Sequence, residues 1–253
     1  MRYIFLMILK KLINNPLNWV RSVLLRFLRL PPHYVGSFGC IRTAASHIAF
    51  NQIEGDYLEF GVWKGASFST AYHEIGKQRQ IQNQFGYDSA EFNQWKVNKP
   101  RFFAFDSFEG LPADGVENRM VDYGAGAYYC AEDNFVTNLK FAGVNMADVT
   151  RVKGFYDQTC NAETKLKYDI KAAAIVMIDC DLYASTVPVL DFLTDIIQQG
   201  TIIIFDDWFR FKGNPNEGEQ RACGEWLERN PQLELIEFWK QGPQAVAFLV
   251  NFK

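Results

Sequence analysis

Histidine is scarce in this chain: three in 253 residues, His33, His47 and His73, all in the first third. A site drawn from the later chain must therefore work with carboxylates, hydroxyls and backbone amides. Cysteine is nearly as thin. Cys40, Cys130, Cys160, Cys180 and Cys223 are odd in number and scattered, with no CxxC and no Cys/His cluster. That argues against structural zinc and a disulfide framework, and favours a reducing, cytoplasmic compartment. No apolar run reaches the ~20 residues that span a bilayer; YIFLMIL at 3–9 is stopped by Lys10 and Lys11. No small-residue cleavage site follows that run, so a signal peptide fits poorly. With 18 Gly and 9 Pro the chain is neither collagen-like nor of low complexity. A net charge of only −3 with 15 % aromatic residues excludes disorder.

What is present is core. At 48 % hydrophobic residues, one domain of roughly 200–250 residues plus an arm fits better than two full domains. The expected division is an arm at 1–40 and a domain at 41–253. Charge is unevenly spread: residues 1–53 carry seven basic residues and no acid, whereas the remaining 200 hold 19 basic against 29 acidic. An acidic body does not attract nucleic acid by bulk electrostatics, so none is expected as a partner.

From Leu17 the arm has helical periodicity. Asn18, Ser22, Arg26 and Arg29 share one stripe; Leu17, Val20, Leu24, Phe27 and Leu28 share the other, and Pro31-Pro32 ends the pattern. Two readings stay open. The arm packs on its own domain or on a second subunit of a homo-oligomer, or residues 1–30 lie on anionic lipid at the inner face of a membrane.

The body alternates strand and helix. Strands are expected at Asp56–Phe60, Arg101–Asp106, Val149–Lys153, Ala173–Asp179 and Thr201–Asp206, with two more at Glu234–Trp239 and Ala245–Asn251. Helices are expected at 41–52, 66–77, 129–140, 160–166, 184–198 and 217–229, and a long exposed insertion at 78–100. Runs such as AAAIVMI and TIIIF, apolar throughout, suit strands covered on both faces. The alternation implies an α/β fold with an open parallel sheet, and the last two strands an antiparallel hairpin at its edge.

Ligands of such sheets bind beyond the carboxyl ends of the strands. The first strand leads into Gly61-Val62-Trp63-Lys64-Gly65-Ala66-Ser67, a glycine turn before a helix N-terminus that favours a negative group. It is neither GxGxxG nor a P-loop, and glycine here serves packing as readily as a ligand. The second strand ends at Asp106-Ser107, where an acid can accept both hydroxyls of a ribose, with a solvated loop Asp or a helix cap as the alternative. Two later strands end in Asp179-Cys180-Asp181 and Asp206-Asp207. Four carboxylates brought together repel unless protonated or holding a cation, and an all-oxygen set selects a hard ion such as Mg²⁺; the alternative is that one of them is structural, with Asp181 capping a helix before LYAST or Asp207 preceding a loop.

The motifs GDYLEFGVWKGASF, FAFDSFEGLP, VKGFYDQT, IDCDLYAST and FDDW occur in that order between Gly55 and Trp208. In them the chain resembles the macrocin O-methyltransferase (TylF-like) family of class I S-adenosylmethionine-dependent methyltransferases. Ala66 stands where a second Gly is usual, Cys180 where Gly is common, and Ala184 where Glu is common. The resemblance implies a Rossmann-like seven-stranded, mostly parallel sheet with helices on both faces. It implies Glu59, Gly61 and Ser67, with Val62 and Gly65 of the same turn, around the methionine part of the cofactor. Asp106 and Ser107 fall at the ribose and Gly154-Phe155 near the adenine. Asp179, also part of the cofactor site, matches a divalent-metal ligand together with Asp206 and Asp207. Asp181 matches the general base.

The expected reaction is methyl transfer from S-adenosylmethionine to a hydroxyl of a small molecule or glycan, with Mg²⁺ or another divalent cation. A cation lowers the hydroxyl's pKa and a nearby carboxylate takes its proton, which suits a vicinal diol. Tyr123, Tyr128, Tyr129, Phe155 and Trp208 are candidate walls of the acceptor pocket, with core packing as the alternative. Three rivals remain: an Asp-x-Asp glycosyltransferase using Mn²⁺, a catechol-type O-methyltransferase, and a non-catalytic cofactor-binding subunit.

Overall fold

The computed structural model describes residues 38–85, 95, 97–113 and 123–253. The amphipathic arm and residues 86–94 of the expected insertion lie outside these. The strands are β1 (Asp56–Phe60), β2 (Phe102–Asp106), β3 (Val149–Lys153), β4 (Ala173–Ile178), β5 (Ile202–Phe205), β6 (Leu233–Gln241) and β7 (Ala245–Phe252). They form one sheet in the order β3-β2-β1-β4-β5-β7-β6. β1 to β5 are parallel, and β7 pairs antiparallel with both β5 and β6. The edge hairpin expected from the sequence is therefore present.

The helices are α1 (Gly39–Phe50), α2 (Ala66–Phe85), α3 (Glu132–Phe141), α4 (Tyr156–Thr159), α5 (Ala162–Tyr168), α6 (Tyr183–Leu193) and α7 (Gly218–Arg229). α2 runs eight residues beyond its expected end, into the stretch read as an exposed insertion. Trp95 from that stretch is fully buried, and Arg79 of α2 stacks 4.1 Å from its ring while donating to its backbone carbonyl at 2.6 Å. Among the described residues no helix is long and apolar enough to cross a membrane.

All residues of β1, β4 and β5 are buried. Alternate residues serve opposite faces. Phe60, Phe105, Ile178 and Phe205 pack with Val189, Leu190 and Leu193 of α6 and Trp226 of α7. On the other face Tyr57 and Phe102 meet Phe68 of α2, which in turn meets Phe135 of α3. At the amino ends of the strands Arg101 donates to both oxygens of Asp56 (3.1 and 2.6 Å) and to the carbonyls of Tyr168 and Asp169 (2.9 and 2.8 Å).

The register positions the site. Phe60 pairs with Phe105 and with Ile178, and Ile178 pairs with Phe205. The chain therefore leaves four neighbouring strands at one level, and the next residue of each is Gly61, Asp106, Asp179 or Asp206. The ladder continues through three of them, with Gly61 N–H on Phe105 O (3.0 Å), Asp179 N–H on Phe60 O (2.8 Å) and Asp206 N–H on Ile178 O (3.0 Å).

Candidate active site

Above that row lies a cavity of about 840 Å³, lined among others by Gly61, Asp106, Ser107, Phe155, Asp179, Asp181, Asp206 and Asp207. It sits at the switch point of the sheet, where β1 has β2 on one side and β4 on the other.

At one end is the glycine turn. Gly61 has φ +93°, and a Cβ there would lie 1.8 Å from the carbonyl oxygen of Asp179. The glycine is thus required by the approach of β4, whatever binds above it. The amides of Val62 and Trp63 donate to Asp106 Oδ2 (2.9 and 3.1 Å), and that of Phe108 donates to Oδ1 (2.7 Å). A carboxylate accepts about four hydrogen bonds, so Asp106 keeps capacity for a ligand. Burial raises its pKa while these three amides hold it down.

Not all the expected cofactor residues reach the cavity wall. Glu59 is fully buried behind the turn, accepting from the hydroxyls of Tyr57 and Ser67. Desolvation, against those two bonds, pushes its pKa up to about 8. Val62, Gly65, Ser67 and Gly154 also stand outside the lining. Gly65 makes room for Leu139 and Phe135 of α3, and Gly154 for Thr159. Glu59, Gly65 and Ser67 stand behind the turn, whereas Gly154 makes room for the start of the segment that follows β3.

At the other end the acids gather. Oxygens of Asp179, Asp181 and Asp207 lie within 4.8 Å of one another. Asp206 is outside that trio, but after burial its charge is the largest influence raising the pKa of Asp179. Asp206 itself is pushed up to about 7 by burial and by Asp207. Asp181 is raised by burial and by hydrogen bonding to Asp207, and the Tyr123 hydroxyl opposes the rise in both. Asp181 has left-handed backbone, φ +62°. It does not cap α6, whose N-cap is Leu182. Burial raises all four, neighbouring acids raise Asp179, Asp181 and Asp206 further, and the converging oxygens of Asp179, Asp181 and Asp207 are a donor set that fits a hard divalent cation.

Several residues here escaped the sequence reading. Arg210 donates to the Tyr123 hydroxyl at 3.1 Å. Gln244, before β7, donates from Nε2 to Asp207 Oδ1 at 3.1 Å. Glu219 of α7, fully buried, accepts the Asp207 amide on Oε2 at 3.0 Å. The signal for Gln244 was latent: the start of an antiparallel strand lies beside the end of its parallel neighbour, and Val246 pairs with Phe205. Of the aromatic candidates, Tyr123, Tyr128 and Phe155 line the cavity and Tyr129 and Trp208 do not. Trp208 packs against Phe205 and Phe248, with ring centroids 4.9 and 4.8 Å apart.

The fold is shared with known enzymes. The O-methyltransferase NovP superposes with a TM-score of 0.61 at 20 % identity, over 85 % of this chain and 79 % of its own. The calicheamicin methyltransferase CalS11, a TDP-rhamnose 3′-O-methyltransferase, gives 0.60 at 19 % identity, over 95 % and 88 %. An O-methyltransferase from Bacillus cereus in complex with SAH gives 0.52 at 13 %, over 92 % and 90 %. No curated protein sequence matches. Residues 89–218, half of the chain, match the family described as Macrocin-O-methyltransferase (TylF). With the parallel sheet, the cavity at its switch point and this match in place, the chain belongs to the TylF macrocin-O-methyltransferase family and is an S-adenosylmethionine-dependent O-methyltransferase.

Proposed function

We infer that the enzyme methylates a hydroxyl of a sugar or similar vicinal diol, using a divalent cation at the acidic end of its cavity. The row set by the sheet register carries this reading: Asp106 stands on one side of Gly61, and Asp179 and Asp206 on the other. That the fold neighbour CalS11 acts on TDP-rhamnose supports a sugar as the acceptor. Bound in the cavity, S-adenosylmethionine would supply the electrophilic methyl group and a divalent cation would supply Lewis acidity toward the acceptor hydroxyl.

The chain's own groups do the rest. Asp106 accepts the ribose hydroxyls with the lone pairs its three amides leave over. Phe155, after β3, flanks the adenine. Asp179, Asp206 and Asp207 hold the ion, and Asp181 takes the proton that the acceptor hydroxyl gives up. Tyr123, bonded to Arg210 and to both Asp181 and Asp207, fixes how these two carboxylates face the cavity. A second assignment is favoured by the converging oxygens of Asp179, Asp181 and Asp207. In it Asp181 is a ligand and Asp206 is not.

Calorimetric titration with S-adenosylhomocysteine, with and without Mg²⁺, tests the cofactor end. Wild type binds and Asp106→Ala loses at least about tenfold in affinity, the scale of hydrogen bonds to a charged group. A folded wild type that ignores the ligand refutes the reading, and a sugar nucleotide with Mn²⁺ is then the next probe. Asp181→Asn and Asp206→Asn decide between the two assignments. If Asp181 is the base, Asp181→Asn keeps Mn²⁺ binding and Asp206→Asn loses it; the reverse pattern makes Asp181 the ligand.

A further inference from the structure

Asp207 is common to both ligand assignments, and it is held by residues that do not belong to the acid cluster. We propose that Glu219 and Gln244 are positioning residues for Asp207, and that through it they set how tightly the acidic end of the cavity holds a divalent cation. This inference rests on the cation reading above.

The two residues come from opposite sides. Glu219 lies in the first turn of α7, and its Oε2 accepts the Asp207 amide at 3.0 Å. The next residue, Gln220, donates its side-chain amide to the Trp208 carbonyl. One helical turn thus grips an N–H and a C=O on successive residues of the loop leaving β5. Gly218, just before, has φ +54°, and a Cβ there would lie 2.3 Å from the ring of Phe211. That close packing locks the start of α7 against the same loop. From the hairpin side, the Gln244 carbonyl accepts the Phe209 amide at 3.1 Å, and Gln244 Nε2 donates to Asp207 Oδ1 at 3.1 Å. Backbone and carboxylate of Asp207 are therefore held separately, the first by Glu219 and the second by Gln244 together with Tyr123.

Glu219 is not placed for stability alone. It is 1 % exposed, and its Oε1 has no hydrogen-bond partner among the described residues. A fully buried carboxylate with one oxygen unsatisfied is a costly way to accept a single amide. The arrangement is explained if the orientation of Asp207 is what the residue serves. Groups that orient metal ligands from behind are worth 10–100-fold in metal affinity.

The test is Mn²⁺ titration followed by the electron paramagnetic resonance signal of the free ion, on wild type, Gln244→Ala, Glu219→Ala and Glu219→Gln. Calorimetry with S-adenosylhomocysteine in the absence of metal runs alongside. Gln244→Ala keeps the backbone bond to Phe209 and removes only the contact to the carboxylate. Both alanine variants are expected to weaken Mn²⁺ binding about tenfold or more. Glu219→Gln, which retains a side-chain oxygen for the Asp207 amide, stays near wild type, and S-adenosylhomocysteine affinity stays within about twofold in all. Unchanged Mn²⁺ affinity in Gln244→Ala overturns the proposal. So does a parallel loss of S-adenosylhomocysteine binding, which reports general damage to the fold. A wild type that binds S-adenosylhomocysteine but not Mn²⁺ refutes the cation reading itself, and this inference with it. If Glu219→Ala does not fold, Gln244→Ala and Glu219→Gln still decide.

Discussion

At Gly61 the approach of the neighbouring strand alone demands glycine. With φ +93° and a would-be Cβ 1.8 Å from a backbone oxygen of Asp179, neither strain nor collision can be relieved by a flexible side chain. Gly61→Ala is expected to cost about 3–5 kcal/mol, the upper range for single substitutions, by urea denaturation. A loss below about 1 kcal/mol would mean that β1 and β4 separate more easily than their pairing indicates. The sequence marked this glycine, and also Asp106, Asp179, Asp206 and Asp207, because each follows a run that only a strand explains. It left open whether glycine served the ligand or the packing, and only the approach of Asp179 decides for packing. Glu219 and Gln244 were illegible for another reason. Glu219 lies twelve residues beyond Asp207 on an ordinary amphipathic helix, and its role appears only when that helix is folded back on the loop.

Among the elements, strands were read almost to the residue and helices less well. The apolar runs of β4 and β5 announce buried parallel strands, whose ends fall within one residue of the expected bounds, and β1 and β3 have the expected bounds although neither is an unbroken apolar run. Helix ends depend on partners distant in sequence. α2 outlasts its apolar periodicity because Arg79 finds Trp95. α6 stops at Leu193 although apolar residues continue, because the Ile196 carbonyl turns to accept the Ala173 amide at 2.7 Å. The amino ends of β1 and β2 are tied by the forked contact of Arg101 with Asp56, whose side chain is 8 % exposed. Lysine cannot reproduce that fork. Arg101→Lys should therefore lose about 1–3 kcal/mol in denaturant titration. S-adenosylhomocysteine affinity should not change, since the contact lies at the opposite end of the strands from the cavity. A variant as stable as wild type would reduce the contact to a solvent-screened surface pair.

For the molecule as a whole, the carboxylates of the site make folding depend on pH in an unusual sense. Glu59 is raised from 4.5 to about 8 and Asp206 from 3.8 to about 7, both chiefly by burial. Between those limits the folded chain holds protons that the unfolded chain has released, so stability falls as pH rises. Each such group contributes up to about 1.4 kcal/mol per pH unit. The metal-free protein should melt at a lower temperature at pH 8 than at pH 5. Mg²⁺ should raise the melting temperature more at pH 8, because the ion binds the ionised acids. A melting temperature flat or rising over that range without metal would show that the acids ionise freely.

The placement of β1 between β2 and β4 also bears on the order in which the protein is made. β1, β2 and β3 leave the ribosome first and can pair with one another. Yet Tyr57 must wait for Ile175, and Phe60 for Ile178, before β1 gains its second neighbour. The floor of the cavity and the acids of its far wall are therefore absent until β4 and β5 have followed β3 out of the ribosome. Between the emergence of β1 and that of β4 the nascent protein carries one unpaired strand edge. Contacts that close so long a loop form slowly. Asp106 and the acids that follow β4 and β5 therefore come to face one cavity only after β4 has paired with β1.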